Sequence, residues 1–191
     1  MTRPAAKGWC PGAYRPMHSG DGLIVRIRPH FARLSAEQAL GLSQVSQRFG
    51  NGTIDLTSRS NLQIRGILET DYDALMTELE ALKLLDEAPE IEARRNILVA
   101  PDWTQADETY ALTTALTRQL GALPALPTKF GFAVDTGNAP MLTAASADIR
   151  IERDLSGALL LRADGAALGR PVTGETAVET VLDLAHWFAQ N

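Results

Sequence analysis

An α+β fold is what this sequence predicts: a ferredoxin-like half-domain followed by a further α/β segment. Three observations predict it. Gly22 to Leu85 switches between period-two and period-3.6 apolar patterning in the order β-α-β-β-α, most of a split ferredoxin-like unit. From Ile97 onward, short alternating stretches and amphipathic helices start a second series. The composition, 45% hydrophobic and 21% charged over 191 residues, is that of a globular chain able to bury a core in one domain or two small ones.

The elements follow in order. Pro4, Pro11, Gly12, Pro16 and Gly20 mark an ordered loop or arm over residues 1–21. In "GLIVRIRP", Leu23, Val25 and Ile27 point one way and Ile24, Arg26 and Arg28 the other, so this is a strand, ended by Pro29. "SAEQALGLSQVSQRFGNG" is a helix: Ser35 and Gln38 form a capping box, Ala39, Leu42, Val45 and Phe49 its apolar face, and Gly50 its stop. Strands over Thr53 to Thr57 and Asn61 to Leu68 flank a link short enough for a bend or an antiparallel hairpin. Thr70 and Asp73 cap a second helix that turns Leu75, Leu79 and Leu82 to the core.

The half-domain therefore covers 22–88 and the α/β domain 89–191. Ile97 to Val99 is a short strand, Thr104 and Asp107 open a helix carrying Leu112, Ala115, Leu116 and Leu120, and "GALPALP" is a rigid turn. "TKFGFAV" alternates Phe130, Phe132 and Val134 with Lys129, Gly131 and Ala133. Asp135 and Gly137 read as turn residues. "ADIRIERDLSGALLLRADG" is a hairpin turning at Asp154 to Gly157. A final helix, from about Gly174 to Ala189, points Val178, Val181, Leu182, Ala185 and Phe188 inward.

Bulk chemistry removes several function classes. A net charge of −5 argues against general affinity for nucleic acid or anionic membranes. Strand-borne RNA recognition needs exposed aromatics, and Phe130 and Phe132 fall on the side expected to be buried. Cys10 is the one cysteine, so there is no internal disulfide, and this chain cannot supply the thiolates of an ordinary iron–sulfur cluster. Cys10 reads as a small, semi-buried turn residue or a single reactive thiol. His18, His30 and His186 lack metal-ligand spacing. No apolar run is long enough to span a bilayer, so a cytoplasmic location is expected.

The unusual feature is "TIDLTSRSNLQIRG". Ile54 and Leu56, and Leu62 and Ile64, have the spacing of a buried sheet face. If extended geometry starts at Arg59, then Arg59, Asn61, Gln63 and Arg65 form a row of donors on the other face. Arg26 and Arg28 lie about 7 Å apart by strand rise, and Arg94, Arg95 and Asn96 lead into the next strand. Arginine is the residue for forked hydrogen bonds to oxyanions. Two readings stand side by side: a solvated sheet face with ordinary basic residues, or a wall that holds a polyanion. Lys129, beside Gly131, is either exposed or close to a ligand.

Five stretches together resemble the nitrite and sulfite reductase superfamily and, within it, the precorrin-3B synthases of aerobic cobalamin biosynthesis: "KGWCPGAYRPMHSGDGLIVRIRP", "GNGTIDLTSRSNLQIRGI", "ARRNILVAP", "LPTKFGFAVDTG" and "DLAHWF". The resemblance covers nearly all of this chain and about half of such an enzyme. It implies a half-domain of the nitrite/sulfite reductase N-terminal type followed by an α/β segment of the sulfite reductase hemoprotein type. It also implies that the donor row lines a tetrapyrrole pocket. Carried over by motif, Arg28, Arg59, Arg95 and Lys129 would hold carboxylates of a siroheme-like tetrapyrrole or a precorrin, with Asn61, Gln63 and Arg65 beside them. Arg26 and Arg28 compete for the strand-one position. Gly131 stands where the family's second lysine is expected, which argues against sulfite reduction. The family's 4Fe–4S cluster belongs to sequence beyond this chain, a C-terminal half or a partner chain. The resulting expectation is an oxidoreductase, a monooxygenase by resemblance, of which this chain is the tetrapyrrole-binding half and is not catalytic by itself. A non-catalytic tetrapyrrole-binding module and a sulfite/nitrite reductase-like fragment are the alternatives. An uncovered sheet face also allows a homodimer.

Overall fold

The computed structural model describes residues 10–191, so the first part of the expected arm, residues 1–9, lies outside the described residues. The chain forms two compact units. The first comprises the residues up to Pro29, Leu34–Thr57 and Asn61–Glu92; the second comprises His30–Arg33, Ser58–Ser60 and Ala93–Asn191.

The first unit is the ferredoxin-like half. Its strands are β1 (Met17–Ser19), β2 (Gly22–Ile27), β3 (Ile54–Leu56) and β4 (Leu62–Ile67), and its helices are α1 (Ala36–Phe49) and α2 (Tyr72–Ala81). The four-stranded sheet has the order β1-β2-β4-β3, antiparallel throughout. A β-α-β-β-α-β chain would place its last strand beside its first; here that place is taken by β1, from the stretch expected to be a loop. Two features hold this stretch down. Ala13 is buried in the core, and the N–H of Arg26 donates to the Gly12 carbonyl.

One sheet face carries Leu23, Val25, Ile27, Ile64 and Ile67, packed with Leu42, Val45, Phe49, Leu75 and Leu79 from the helices. Ile64 and Ile67 are three apart, a spacing a regular strand would send to opposite faces. A bulge resolves it: Leu23 pairs with Ile67 but Val25 with Ile64, and Gly66 takes φ 73° to absorb the extra residue.

The capping box forms as expected, with Ser35 accepting from the N–H of Gln38 and Gln38 returning the bond. Gly41 is needed where α1 meets α2, because a Cβ there would lie 2.4 Å from Leu82. Gly50 ends α1 with extended backbone; what excludes a side chain is the Arg65 carbonyl, 2.4 Å from its Cβ position.

Several expectations change here. Ala39 is exposed and Ser46 takes the buried place. Leu56 is 77% exposed, because β3 is an edge strand and its last residue extends beyond the helices' cover. Thr70 does not cap α2: a 3-10 turn over Glu69–Asp71 leads into the helix without a side-chain cap.

Helix α3 (Pro89–Arg94) begins in the first unit and its last two residues belong to the second, which then contains β5 (Ile97–Val99), α4 (Glu108–Arg118), β6 (Phe132–Asp135), β7 (Ile149–Arg153), β8 (Leu159–Ala163), β9 (Arg170–Pro171) and α5 (Ala177–Gln190). The sheet runs β5-β6-β7-β8-β9; the first two pairings are parallel and the last two antiparallel. Asp107 caps α4 by accepting from the N–H of Tyr110 at 2.9 Å. The Asp154–Gly157 turn closes β7 onto β8 as expected, with Gly157 at φ 85°.

Strand β6 is buried at all of its positions, so its alternation is that of a central parallel strand and not of a half-wet one. The β6–β7 crossover contains no helix. It is pinned instead by side chains: Asp135 Oδ2 accepts from Met141 and Leu142, and the buried Arg150 guanidinium donates to the carbonyls of Leu142, Thr143 and Ala145. Phe188 is 45% exposed rather than inward, though its ring lies 4.9 Å from that of Phe130.

Candidate functional site

The donor row does not form one continuous strand. Extended pairing begins at Leu62, and Ser60 adopts φ 54° in a tight turn closed by the Thr57 N–H on the Asn61 carbonyl. Arg59 therefore leaves the row and belongs to the second unit, while Asn61, Gln63 and Arg65 stay in the first. Lys129 is likewise in a turn, closed by the Phe130 N–H on Pro127, because β6 starts only at Phe132.

In the first unit, the sheet face away from the helices carries Arg26, Gln63 and Asp55 in register across β2, β4 and β3. Arg26 donates through Nε at 3.2 Å and Nη2 at 2.8 Å to Gln63 Oε1. Arg65 is fully engaged: it donates to Asp21 at 3.0 and 3.1 Å, to Asp55 at 3.1 Å and to Ser19 at 3.2 Å. Hydrogen bonds from Arg65 hold the Asp21 carboxyl down at about 2, and Asp21 in turn raises the Arg65 pKa. Asn61 is buried.

Arg28 lies just past the end of β2 and is buried, away from Arg26. Its guanidinium forms an ion pair with the buried Glu92 at 3.5 Å and donates to the Glu92 carbonyl. The same carboxylate accepts from the N–H groups of Ala13 at 2.7 Å and Tyr14 at 3.4 Å. Gly12 makes room for it, since a Cβ there would be 2.8 Å from Glu92 Oε2. Burial, followed by Asp86 and then Glu92, raises the Tyr14 pKa. The "PGAYR" stretch is thus folded around a buried acid–base pair.

In the second unit, three of the basic stretches meet. Arg59 donates to the Lys129 carbonyl at 2.7 Å and to Ser146 Oγ at 3.2 Å, and the Asn96 amide donates to the carbonyls of Lys129 at 3.3 Å and Phe130 at 2.9 Å. The "TKFGF" turn is thereby fixed with the Lys129 side chain exposed. Gly131 acquires a physical reason: a Cβ would stand 2.7 Å from the Asn96 amide nitrogen. Arg95 is buried, unlike its neighbour Arg94, which donates to the carbonyls of Leu120 and Gly121. Cys10 is free and half-buried, and His186 contacts the Ala122 carbonyl.

The structure thus brings Arg59 and Lys129 together and sets Gln63 beside Arg65, while Arg28 and Arg95 are buried. Arg26, which competed with Arg28 for the strand-one position, is the one on the sheet face, paired with Gln63. Sequence reasoning left two organising residues without a role. Asn96 stood in the "RRN" stretch with no signal of its target. Glu92 gave none, sitting in an acidic run that reads as surface.

A cleft of about 580 Å³ at the ends of β6 and β7 contains none of the candidate residues. Its lining charges are largely spent internally, Arg162 on Glu152 and Arg153 on Glu108. Among the described residues, no group of three or more His, Cys, Asp or Glu could hold a metal ion, and no helix is long and apolar enough to cross a membrane.

Comparisons with known proteins bear on the superfamily and the fold. Residues 15–82 match the family model of the nitrite/sulfite reductase ferredoxin-like half domain. A precorrin-3B synthase from Sinorhizobium sp. is 32% identical over 148 residues, 76% of this chain and 32% of that protein. A ferredoxin–nitrite reductase from Synechococcus elongatus is 30% identical over 141 residues, 68% of this chain and 27% of that protein. A sulfite reductase hemoprotein beta-component from Staphylococcus saprophyticus is 28% identical over 100 residues, 51% of this chain and 18% of that protein. The solved structure of the Mycobacterium tuberculosis NirA protein superposes with a TM-score of 0.61 at 19% identity, over 85% of this chain and 33% of that one, and so shares the fold. The matched region spans about a third or less of each relative, rather than half.

Proposed function

We propose that this chain, which belongs through residues 15–82 to the nitrite and sulfite reductase superfamily, is the tetrapyrrole-binding portion of a precorrin-3B synthase-like oxidoreductase. One observation carries the reading: the alignment with the Sinorhizobium precorrin-3B synthase covers 76% of this chain, far beyond the half-domain alone. The donor chemistry suits a macrocycle bearing several carboxylates. Each unit has donors of its own for such groups: in the second, Arg59 and Lys129 supply positive charge at a turn tied down by Asn96, and in the first, Gln63 supplies an amide on its sheet. Arg65, Arg28 and Arg95 support rather than grip: Arg65 neutralises Asp21 and Asp55, and the other two are buried.

With Cys10 as its one cysteine, the chain does not fit a 4Fe–4S cluster, which needs four ligands. A step through such a cluster therefore depends on ligands from a C-terminal half or a partner chain. The same observation supports the second reading, a module that binds a tetrapyrrole without catalysis. Reduction of sulfite is disfavoured at Gly131, where Asn96 occupies the space a lysine side chain would need.

Absorbance titration of the chain with siroheme tests the reading. A saturable shift is expected, weakened by about tenfold in Arg59→Ala, the value of one charge-assisted hydrogen bond. Identical spectra with and without the protein would refute it.

A further inference from the structure

We infer that Arg26 is a positioning residue that fixes the polarity of the Gln63 amide, so that its NH₂ group is what this half-exposed sheet face offers to a ligand carboxylate. The ligand's identity rests on the tetrapyrrole reading above; the polarity rests on geometry. Arg26 and Gln63 are a direct cross-strand pair of β2 and β4, and two guanidinium N–H groups converge on the single atom Oε1, at 3.2 and 2.8 Å. Arginine has donors and no acceptor, so only the carbonyl end of the amide can face it.

Asp55 is the register partner of Gln63 on β3, so the cross-strand neighbours of Gln63 are a cation on β2 and a carboxylate on β3. Asp55 itself accepts from Arg65, and the Gln63 amide nitrogen has no partner among the described residues. A glutamine without such neighbours turns either end outward at similar cost, and its carbonyl end would repel a carboxylate. Arg26 removes that ambiguity before any ligand arrives, which lowers the ordering cost of binding.

Two measurements on the full chain test this. In ¹⁵N-labelled protein, the Gln63 side-chain NH₂ resonances should shift in Arg26→Ala and return partway in Arg26→Lys; resonances unmoved in both would overturn the inference. In siroheme titrations, Arg26→Ala and Gln63→Ala should each weaken binding by about fivefold to tenfold, with the double variant no weaker than Gln63→Ala. Gln63→Glu keeps the Arg26 partner but turns an acceptor outward, and should bind more weakly than Gln63→Ala. Multiplying losses in the double variant, as for an Arg26 that touches the ligand directly, would overturn the inference. So would wild-type binding by Gln63→Glu. If wild-type protein itself leaves siroheme unbound, the tetrapyrrole reading fails, and the Gln63 resonances still decide the polarity.

Discussion

Arg65 and Arg28 show how one residue type serves opposite ends in a single compact unit. Arg65 lies at the surface between Asp21 and Asp55, and its effect is electrostatic and pH-dependent. The Asp21 carboxyl falls from 3.8 to about 2, chiefly through its hydrogen bond from Arg65. A carboxyl lowered in the folded state adds stability above its unfolded pKa of about 4 and loses it as pH falls through the folded value. Asp21→Asn should therefore lower the urea midpoint at about pH 6 and lower it far less near pH 2, where the carboxyl is about half protonated. An equal deficit at both pH values would assign the effect to something other than the ion pair. Arg28 is different, because its partner Glu92 is buried with it. Removing one member, as in Glu92→Ala, should cost about 3–5 kcal/mol in denaturant unfolding. The apolar double replacement Arg28→Met with Glu92→Leu should cost far less. Sequence could show that Arg28 alternates with Ile27, but not that an acid more than sixty residues later would bury it.

At the level of elements, local chemistry was legible and tertiary crowding was not. The Ser35–Gln38 box and the Asp154–Gly157 turn depend on residues within a few positions of one another and formed as read; of Thr104 and Asp107, read as opening a helix, Asp107 alone caps it. The bulge at Gly66 and the strand made by Met17–Ser19 depend on partners elsewhere in the chain, and a period-two pattern contains no trace of them. The turn at Lys129 is a similar case: alternation continued through "TKFGF", but Asn96 and Arg59 draw the Lys129 carbonyl into a turn before β6 begins. Gly131 is the place to test this. Gly131→Ala should destabilise the protein by about 1–3 kcal/mol through overpacking against the Asn96 amide. Adding Asn96→Ala should recover part of that loss in the same unfolding assay. A Gly131→Ala protein as stable as wild type would mean the turn yields easily.

For the whole molecule, contiguity in sequence proved a poor guide to contiguity in space. The row from Arg59 to Arg65 divides between two compact units, and its members acquire separate partners in each. The superfamily was legible because its motifs are spread through the chain in a fixed order, whereas residue roles depended on which arginine another side chain neutralises. The relatives extend well beyond the matched region, so this chain's contribution is best isolated by asking what its own donors hold. The most direct measurement is the affinity of the purified chain for uroporphyrin, coproporphyrin and mesoporphyrin, which present a similar ring with progressively fewer carboxylates. If basic and amide side chains grip those carboxylates, affinity should fall in that order by about tenfold per step and weaken with added salt. Equal affinity for all of them, or no binding to any, would contradict the account.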